Sequence, residues 1–102
     1  MAVVNITNKH LLTLYIEEKS KKYDLPPQVV KKYFMRIQQL EAAETVADLL
    51  ADSGMKFEAY KGHYSVRLNQ QYRMELDVEW QDENQTVLGA VDIFEVSPHY
   101  GD

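Results

Sequence analysis

The chain has 102 residues, a length that favours one domain with a single core. It contains no cysteine, which excludes disulfides, thiolate chemistry and cysteine–zinc sites. A formal charge of −5 and a pI near 5.1 argue against a general nucleic-acid binder. No apolar run approaches the length of a membrane span, and the N-terminus lacks the pattern of a signal peptide, so we expect a cytoplasmic protein.

Apolar periodicity predicts two helices in the first half of the chain. Residues 2–6 are a candidate edge strand, and Thr7 or Asn8 can cap a helix over residues 9–22. Three lysines crowd its predicted last turn, where cations suit the helix dipole: Lys19, Lys21 and Lys22.

A second helix is predicted over residues 27–43. Proline suits its first turn, and an apolar stripe at helical spacing identifies its core face: Val30, Phe34, Ile37 and Leu40. Arg36 then falls on the wet side. Thr45 and Asp48 have the spacing of a capping box, which predicts one further helical turn. The two longer helices are expected to pack as an antiparallel hairpin on one face of a sheet.

The second half alternates with the period of strands. Strands are predicted over residues 55–60, 63–68, 72–80 and 87–96, with Gly89 as a candidate bulge in the last, which reads as a central strand covered on each side. The fold class is therefore α+β, with the helices first and then a small antiparallel sheet.

One register matches the apolar residues of the two middle strands, and it also pairs their polar residues. It sets Arg67 opposite Arg73 and His63 opposite Asp77. Like charges in this position repel by roughly 0.2–1 kcal/mol. Two interpretations remain open: the arginines clamp a phosphate, or Glu75 and solvent neutralise two ordinary surface arginines.

The run Tyr64-Ser65-Val66-Arg67-Leu68-Asn69-Gln70-Gln71-Tyr72-Arg73 resembles the signature of the plasmid-killer toxins, the HigB-like branch of the RelE/ParE superfamily. Lys61-Gly62 before it and His99 near the C-terminus extend the match. The resemblance implies a small, single-domain endoribonuclease that cuts messenger RNA on the ribosome. It also implies a helix-turn-helix antitoxin as inhibitor, and operator DNA contacted only through that antitoxin.

RNA cleavage without a metal or cofactor needs a base, an acid and cations that stabilise the phosphorane. Arg67, Arg73 and Lys61 are the candidate cations, and His63 and His99 the candidate proton carriers. Further RNA contacts are expected from five residues: Tyr100, which can stack on a base, Asn69, Lys19, Lys21 and Lys22. Family members often place an acidic residue and a tyrosine just before the last histidine, whereas Ser97-Pro98 stand there in this chain.

Charge is distributed unevenly along the chain. Residues 1–55 carry seven Lys/Arg and seven Asp/Glu, and residues 56–102 carry four and nine, so the entire −5 lies in the second part. We therefore expect weak binding to free RNA and docking through the lysines of the first part. A solvated acidic strand face is expected at Glu75, Asp77 and Glu79, with no metal site. Two other functions stay open: an inactive toxin-fold partner in transcriptional autoregulation, and a gyrase-targeting toxin like ParE.

Overall fold

The part of the chain that the structure describes is a five-stranded sheet with three helices inserted after its first strand. The computed structural model describes residues 2–98. In chain order the elements are β1 (Val3–Ile6), α1 (Lys9–Glu17), α2 (Pro27–Ala42), α3 (Val46–Leu50), β2 (Glu58–Tyr60), β3 (His63–Arg67), β4 (Tyr72–Trp80) and β5 (Leu88–Pro98). The predicted α+β class is confirmed.

The sheet is mixed, which corrects the expectation of a purely antiparallel one. Among the described strands the order is β1-β5-β4-β3-β2; the β1–β5 pair is parallel, and the other three pairs are antiparallel. The predicted edge strand at the N-terminus is confirmed, and it forms hydrogen bonds with one edge of β5. The last strand is therefore central, as its apolar composition predicts.

The helices cover one face of the sheet and form the core with it. Their buried residues include Leu11, Leu14, Tyr33 and Leu40, which meet side chains of the strands such as Met74. The hydroxyl of Tyr33 donates a 2.7 Å hydrogen bond to the carbonyl of Leu11, which ties α2 to α1. Each such buried side chain contributes roughly 1.5–3 kcal/mol through its removal from water.

Helix α1 is shorter than its sequence predicts. Asn8 caps it as expected, since its carboxamide oxygen accepts from the backbone N–H groups of His10 and Leu11. The helix ends at Glu17, and Glu18 adopts a left-handed conformation with φ of 63°. The segment after it lacks an apolar stripe until Tyr23, which is buried and accepts a hydrogen bond from the Asn8 amide. The three lysines therefore lie in the connecting segment, not in a last helical turn.

Two bulges shape β5. Gly89 is the extra residue between two register pairs, Glu79 with Ala90 and Trp80 with Leu88. A Cβ at Gly89 would lie 2.9 Å from the carbonyl oxygen of Glu79, which explains why glycine stands there. The predicted bulge at this position is confirmed.

The second bulge lies at Phe94, where Glu75 pairs with Glu95 but Leu76 pairs with Ile93. It turns the Phe94 ring toward His63, on the face opposite the helices. The predicted central position of β5 is confirmed, but the expectation that both of its faces are covered is wrong. Phe94, which made both faces of the sequence look apolar, is the extra residue of a bulge.

Among residues 2–98, no helix has the length and apolar character needed to cross a membrane.

Candidate functional site

The hairpin of β3 and β4 has the register that the sequence predicts. Tyr64 pairs with Leu76, Val66 with Met74, and Arg67 with Arg73. Its turn is closed by one side chain.

The turn residue is Asn69. Its carboxamide oxygen accepts 2.8 Å hydrogen bonds from the backbone N–H groups of Gln71 and Tyr72. Its structural role is therefore to fix the turn between the two arginine-bearing strands, and a contact between Asn69 and RNA stays a prediction.

Arg67 and Arg73 line one small pocket on the sheet face opposite the helices. The pocket has about 170 Å³ of empty space open to solvent, and its other lining residues are Lys56, Glu58 and Ser65. Arg67 and Arg73 form a non-hydrogen-bonded pair of the ladder, the pair type in which facing side chains approach most closely. Three cations and one carboxylate thus converge there, and Lys56 is a member that sequence reasoning did not assign to the site.

Arg73 is not an ordinary surface arginine. Its residue is only 4% exposed, and its guanidinium carbon lies 4.0 Å from the centre of the Tyr60 ring. Because Tyr60 lies on β2 and Arg73 on β4, the guanidinium crosses β3 above the buried Ser65, whose small side chain leaves room for it. The interpretation of Arg73 as an ordinary solvated arginine is therefore wrong, whereas its neutralisation by Glu75 stays a prediction.

Tyr60 is a site residue that sequence reasoning missed. It ends β2, and the two residues after it both have positive φ, 50° at Lys61 and 82° at Gly62, as a tight two-residue hairpin turn requires. This turn brings the Lys61 ammonium to 5.3 Å from the Tyr60 ring centre. One aromatic ring thereby holds two of the predicted site cations, and a tyrosine directly before Lys-Gly is the signal that could have identified it.

His63 lies on the same sheet face but does not line the arginine pocket. Its Nδ1 is 2.5 Å from a carboxylate oxygen of Asp77, the residue that the predicted register places opposite it. The Phe94 ring packs edge-on at 4.8 Å. His63 and Arg67 are four positions apart along β3, which is roughly 13 Å at the strand rise of about 3.3 Å per residue.

Carboxylates dominate the rest of this face. Glu75 faces Glu95 and Asp77 faces Asp92 across β4 and β5. Tyr23 donates to Glu95 over 2.5 Å, and burial, followed by this carboxylate, raises the pKa of the Tyr23 hydroxyl well above its ordinary value. Within residues 2–98, no group of His, Asp and Glu side chains has the geometry to hold a metal ion.

Comparison with protein families assigns the chain to a known family. A family model described as the RelE-like toxin of type II toxin-antitoxin system HigB matches residues 5–94, from the second half of β1 to the middle of β5. The chain belongs to the HigB-like toxin family. Neither the curated proteins nor the solved structures that were compared include a match.

Membership of this family of type II toxins implies that the protein has an antitoxin as a partner. The matched region contains the whole pocket described above, together with Tyr60, Lys61 and His63. His99 and Tyr100, two of the predicted site residues, lie outside the described residues.

The remaining predicted RNA contacts of this HigB-like toxin lie elsewhere. Lys19, Lys21 and Lys22 are exposed in the segment between α1 and α2, and none of them lines the arginine pocket. Lys19 and Lys21 border a separate groove together with His10 and Asp24. The structure thus divides the predicted cations into an arginine pocket on the sheet and a lysine segment beside α1.

The burial of Arg36 corrects another expectation. The residue is 3% exposed and bonds the backbone of Arg67, although helical periodicity placed it on the wet side of α2. The buried stripe of α2 runs one position earlier than predicted in its first two turns, through Val29 and Tyr33, so that the helix turns Arg36 inward.

Proposed function

We propose that this HigB-like toxin is a metal-independent endoribonuclease that cleaves messenger RNA during translation and so arrests growth. The RNA 2′-hydroxyl attacks the adjacent phosphate, a base accepts its proton, and an acid protonates the departing 5′-oxygen. The products are a 2′,3′-cyclic phosphate and a 5′-hydroxyl. Cations that stabilise the doubly charged phosphorane supply the largest share of such catalysis.

The convergence of Arg67, Arg73 and Lys56 on one pocket carries this proposal. Arginine holds phosphate oxygens through paired N–H donors, and two arginines on facing strands can engage different oxygens of one phosphate. Both side chains line the same pocket, so one phosphate at that position can accept hydrogen bonds from both. The pocket's empty space is small, so we expect the phosphate to sit at its mouth and not within it.

Arg73 has the more constrained role in this scheme. Stacking on Tyr60 fixes its guanidinium, so it loses little side-chain freedom when the phosphate binds. The Lys61 ammonium also lies over the Tyr60 ring, and it adds positive charge along the path of the RNA backbone.

Two histidines are proposed as proton carriers. If Nδ1 of His63 donates to Asp77, its Nε2 presents a lone pair that can accept a proton, and the Asp77 carboxylate then stabilises the resulting cation. The family resemblance assigns His99 to proton transfer. Tyr100 is proposed to stack on a base, as aromatic side chains do with single-stranded RNA. Both protons that move belong to oxygens next to the scissile phosphorus, so His63 can act only on a phosphate that lies within hydrogen-bond reach of its ring, between His63 and the arginine side chains.

Docking to the ribosome is proposed to replace general attraction to RNA. The face around the arginine pocket is rich in carboxylates, which repel an RNA backbone beyond the immediate site. The exposed Lys19, Lys21 and Lys22 supply the clustered positive charge that suits ribosomal RNA. A helix-turn-helix antitoxin, which also binds operator DNA, is the proposed inhibitor.

Induced expression in cells, with mapping of new RNA 5′ ends, tests the proposal. The wild type should arrest growth and generate new ends within translated regions. Arg67→Gln keeps a polar side chain, although a shorter one, and removes the charge, and it should abolish most cleavage. Lys9→Gln, a charge loss at an exposed residue outside the pocket, is the matched control and should cleave as the wild type does.

Two results would refute the proposal in different ways. Absence of both growth arrest and new RNA ends would favour an inactive partner in autoregulation. Growth arrest with altered plasmid topology but intact messenger RNA would instead favour a gyrase-targeting toxin.

A further inference from the structure

Arg36 sits on the helix side of the sheet, beneath the strand that carries Arg67. Its guanidinium makes four hydrogen bonds in different directions. The acceptors are the carbonyls of Arg67 at 2.9 Å and Gly54 at 3.1 Å, the side-chain oxygen of Gln39 at 2.8 Å and the carboxylate of Asp52 at 3.3 Å. These contacts connect α2, the segment after α3 and the end of β3.

The bond to Arg67 replaces a missing strand partner. β2 begins at Glu58, which faces Ser65, so the ladder on this side stops two residues before Arg67. The N–H of Arg67 donates to the carbonyl of Met55 over 2.7 Å, and its carbonyl accepts from Arg36 Nε. Both backbone polar groups of Arg67 are therefore fixed by groups outside the regular sheet.

The same guanidinium fixes the segment that precedes Lys56. Besides holding the Gly54 carbonyl, it pairs with Asp52, whose carboxylate also accepts from Gln39 at 2.7 Å and from the N–H of Gly54 at 2.9 Å. Met55, which bonds Arg67, is followed directly by Lys56. Two of the three cations that line the pocket thus stand on backbone that Arg36 holds in place.

We propose that Arg36 is the positioning residue of the arginine pocket. It does not line the pocket, and it acts by fixing the backbone from which Arg67 and Lys56 project. This inference rests on the proposed nuclease function. Lysine cannot substitute, because its single ammonium cannot meet four acceptors that a planar guanidinium reaches in fixed directions.

The test compares Arg36→Lys with Val29→Ala. Val29 is buried two turns earlier on the same helix and touches none of these groups, so its truncation reports loss of stability alone. Single-turnover cleavage of messenger RNA on ribosomes is measured well below both melting temperatures. Arg36→Lys should reduce the rate at saturating toxin roughly 10- to 100-fold, the effect of a misplacement of about 1 Å. The half-saturating concentration should stay within about twofold of wild type, and Val29→Ala should cleave at the wild-type rate.

Amide hydrogen exchange gives a readout that does not depend on activity. In Arg36→Lys the N–H of Arg67 should exchange at least about tenfold faster, whereas the N–H of the central-strand residue Met74 should exchange as it does in Val29→Ala. Wild-type-like cleavage together with unchanged Arg67 exchange would overturn the inference. A wild type that cleaves nothing would refute the nuclease proposal, and the exchange measurement would still decide whether Arg36 positions Arg67.

Discussion

Replacing Tyr60 by leucine should release the stacked Arg73 guanidinium. Leucine keeps an apolar side chain at the end of β2 but removes the ring that lies 4.0 Å from the guanidinium carbon and 5.3 Å from the Lys61 ammonium. Tyr60→Phe is the matched control, because it keeps the ring and removes only the hydroxyl.

The magnitude follows from the burial of the two cations. A cation–π contact contributes about 2 kcal/mol when it is desolvated and about 0.5–1 kcal/mol when it is exposed. Arg73 is almost completely buried and Lys61 is exposed, so Tyr60→Leu should lower the free energy of unfolding by about 2–3 kcal/mol. Tyr60→Phe should lower it by less than about 1 kcal/mol.

A double-mutant cycle with Arg73→Met isolates the contact. Urea unfolding of the wild type, both single variants and the double variant should give a coupling energy of about 1–2 kcal/mol between Tyr60 and Arg73. A coupling below about 0.3 kcal/mol, or an equal loss in Tyr60→Phe, would refute the argument that the ring holds the guanidinium.

Three further predictions follow from the fold and the charges. Gly89→Ala should lower the free energy of unfolding by about 1–3 kcal/mol in urea melts, because its Cβ would meet the carbonyl of Glu79. The hydrogen bond from the Thr86 hydroxyl is the main reason why the pKa of Asp82 lies below its usual 3.8. The ionised Asp82 carboxylate therefore stabilises the fold above pH 3.8, and this stabilisation is lost as the pH falls through the lowered pKa. Acid titration of stability should therefore show a shallower loss in Asp82→Asn than in the wild type. Replacing Lys19, Lys21 and Lys22 together by glutamate should weaken co-sedimentation with ribosomes without changing the helical circular dichroism. Unaltered binding would exclude these lysines as the docking surface.

The β3–β4 hairpin could be predicted in detail because its physical causes are local. Apolar and polar residues alternate on both strands, and a short turn joins them, so only one register buries both apolar sets. The pairs of Arg67 with Arg73 and of His63 with Asp77 followed directly. The bulge at Gly89 and the Asn8 cap were equally local signals.

The burial of Arg36 and Arg73 could not be predicted because each depends on distant segments. Val29-Val30 and Tyr33-Phe34 are adjacent apolar pairs, so two stripes one residue apart fit α2 equally well, and only the stripe through Tyr33 turns Arg36 inward. Its acceptors at Gly54 and Arg67 are 18 and 31 residues away in the chain. Periodicity carries no information on such contacts.

The chemistry of the RNA ends produced by the purified toxin tests the central claim most directly. A defined messenger RNA on translating ribosomes should be cut to products that carry a 5′-hydroxyl and a 2′,3′-cyclic phosphate, because the 2′-hydroxyl is the attacking group. Arg67→Gln should give few such products, and naked RNA at moderate salt should be cut slowly. Products with a 5′-phosphate, or equal cleavage by Arg67→Gln, would contradict a metal-independent mechanism based on the arginine pocket.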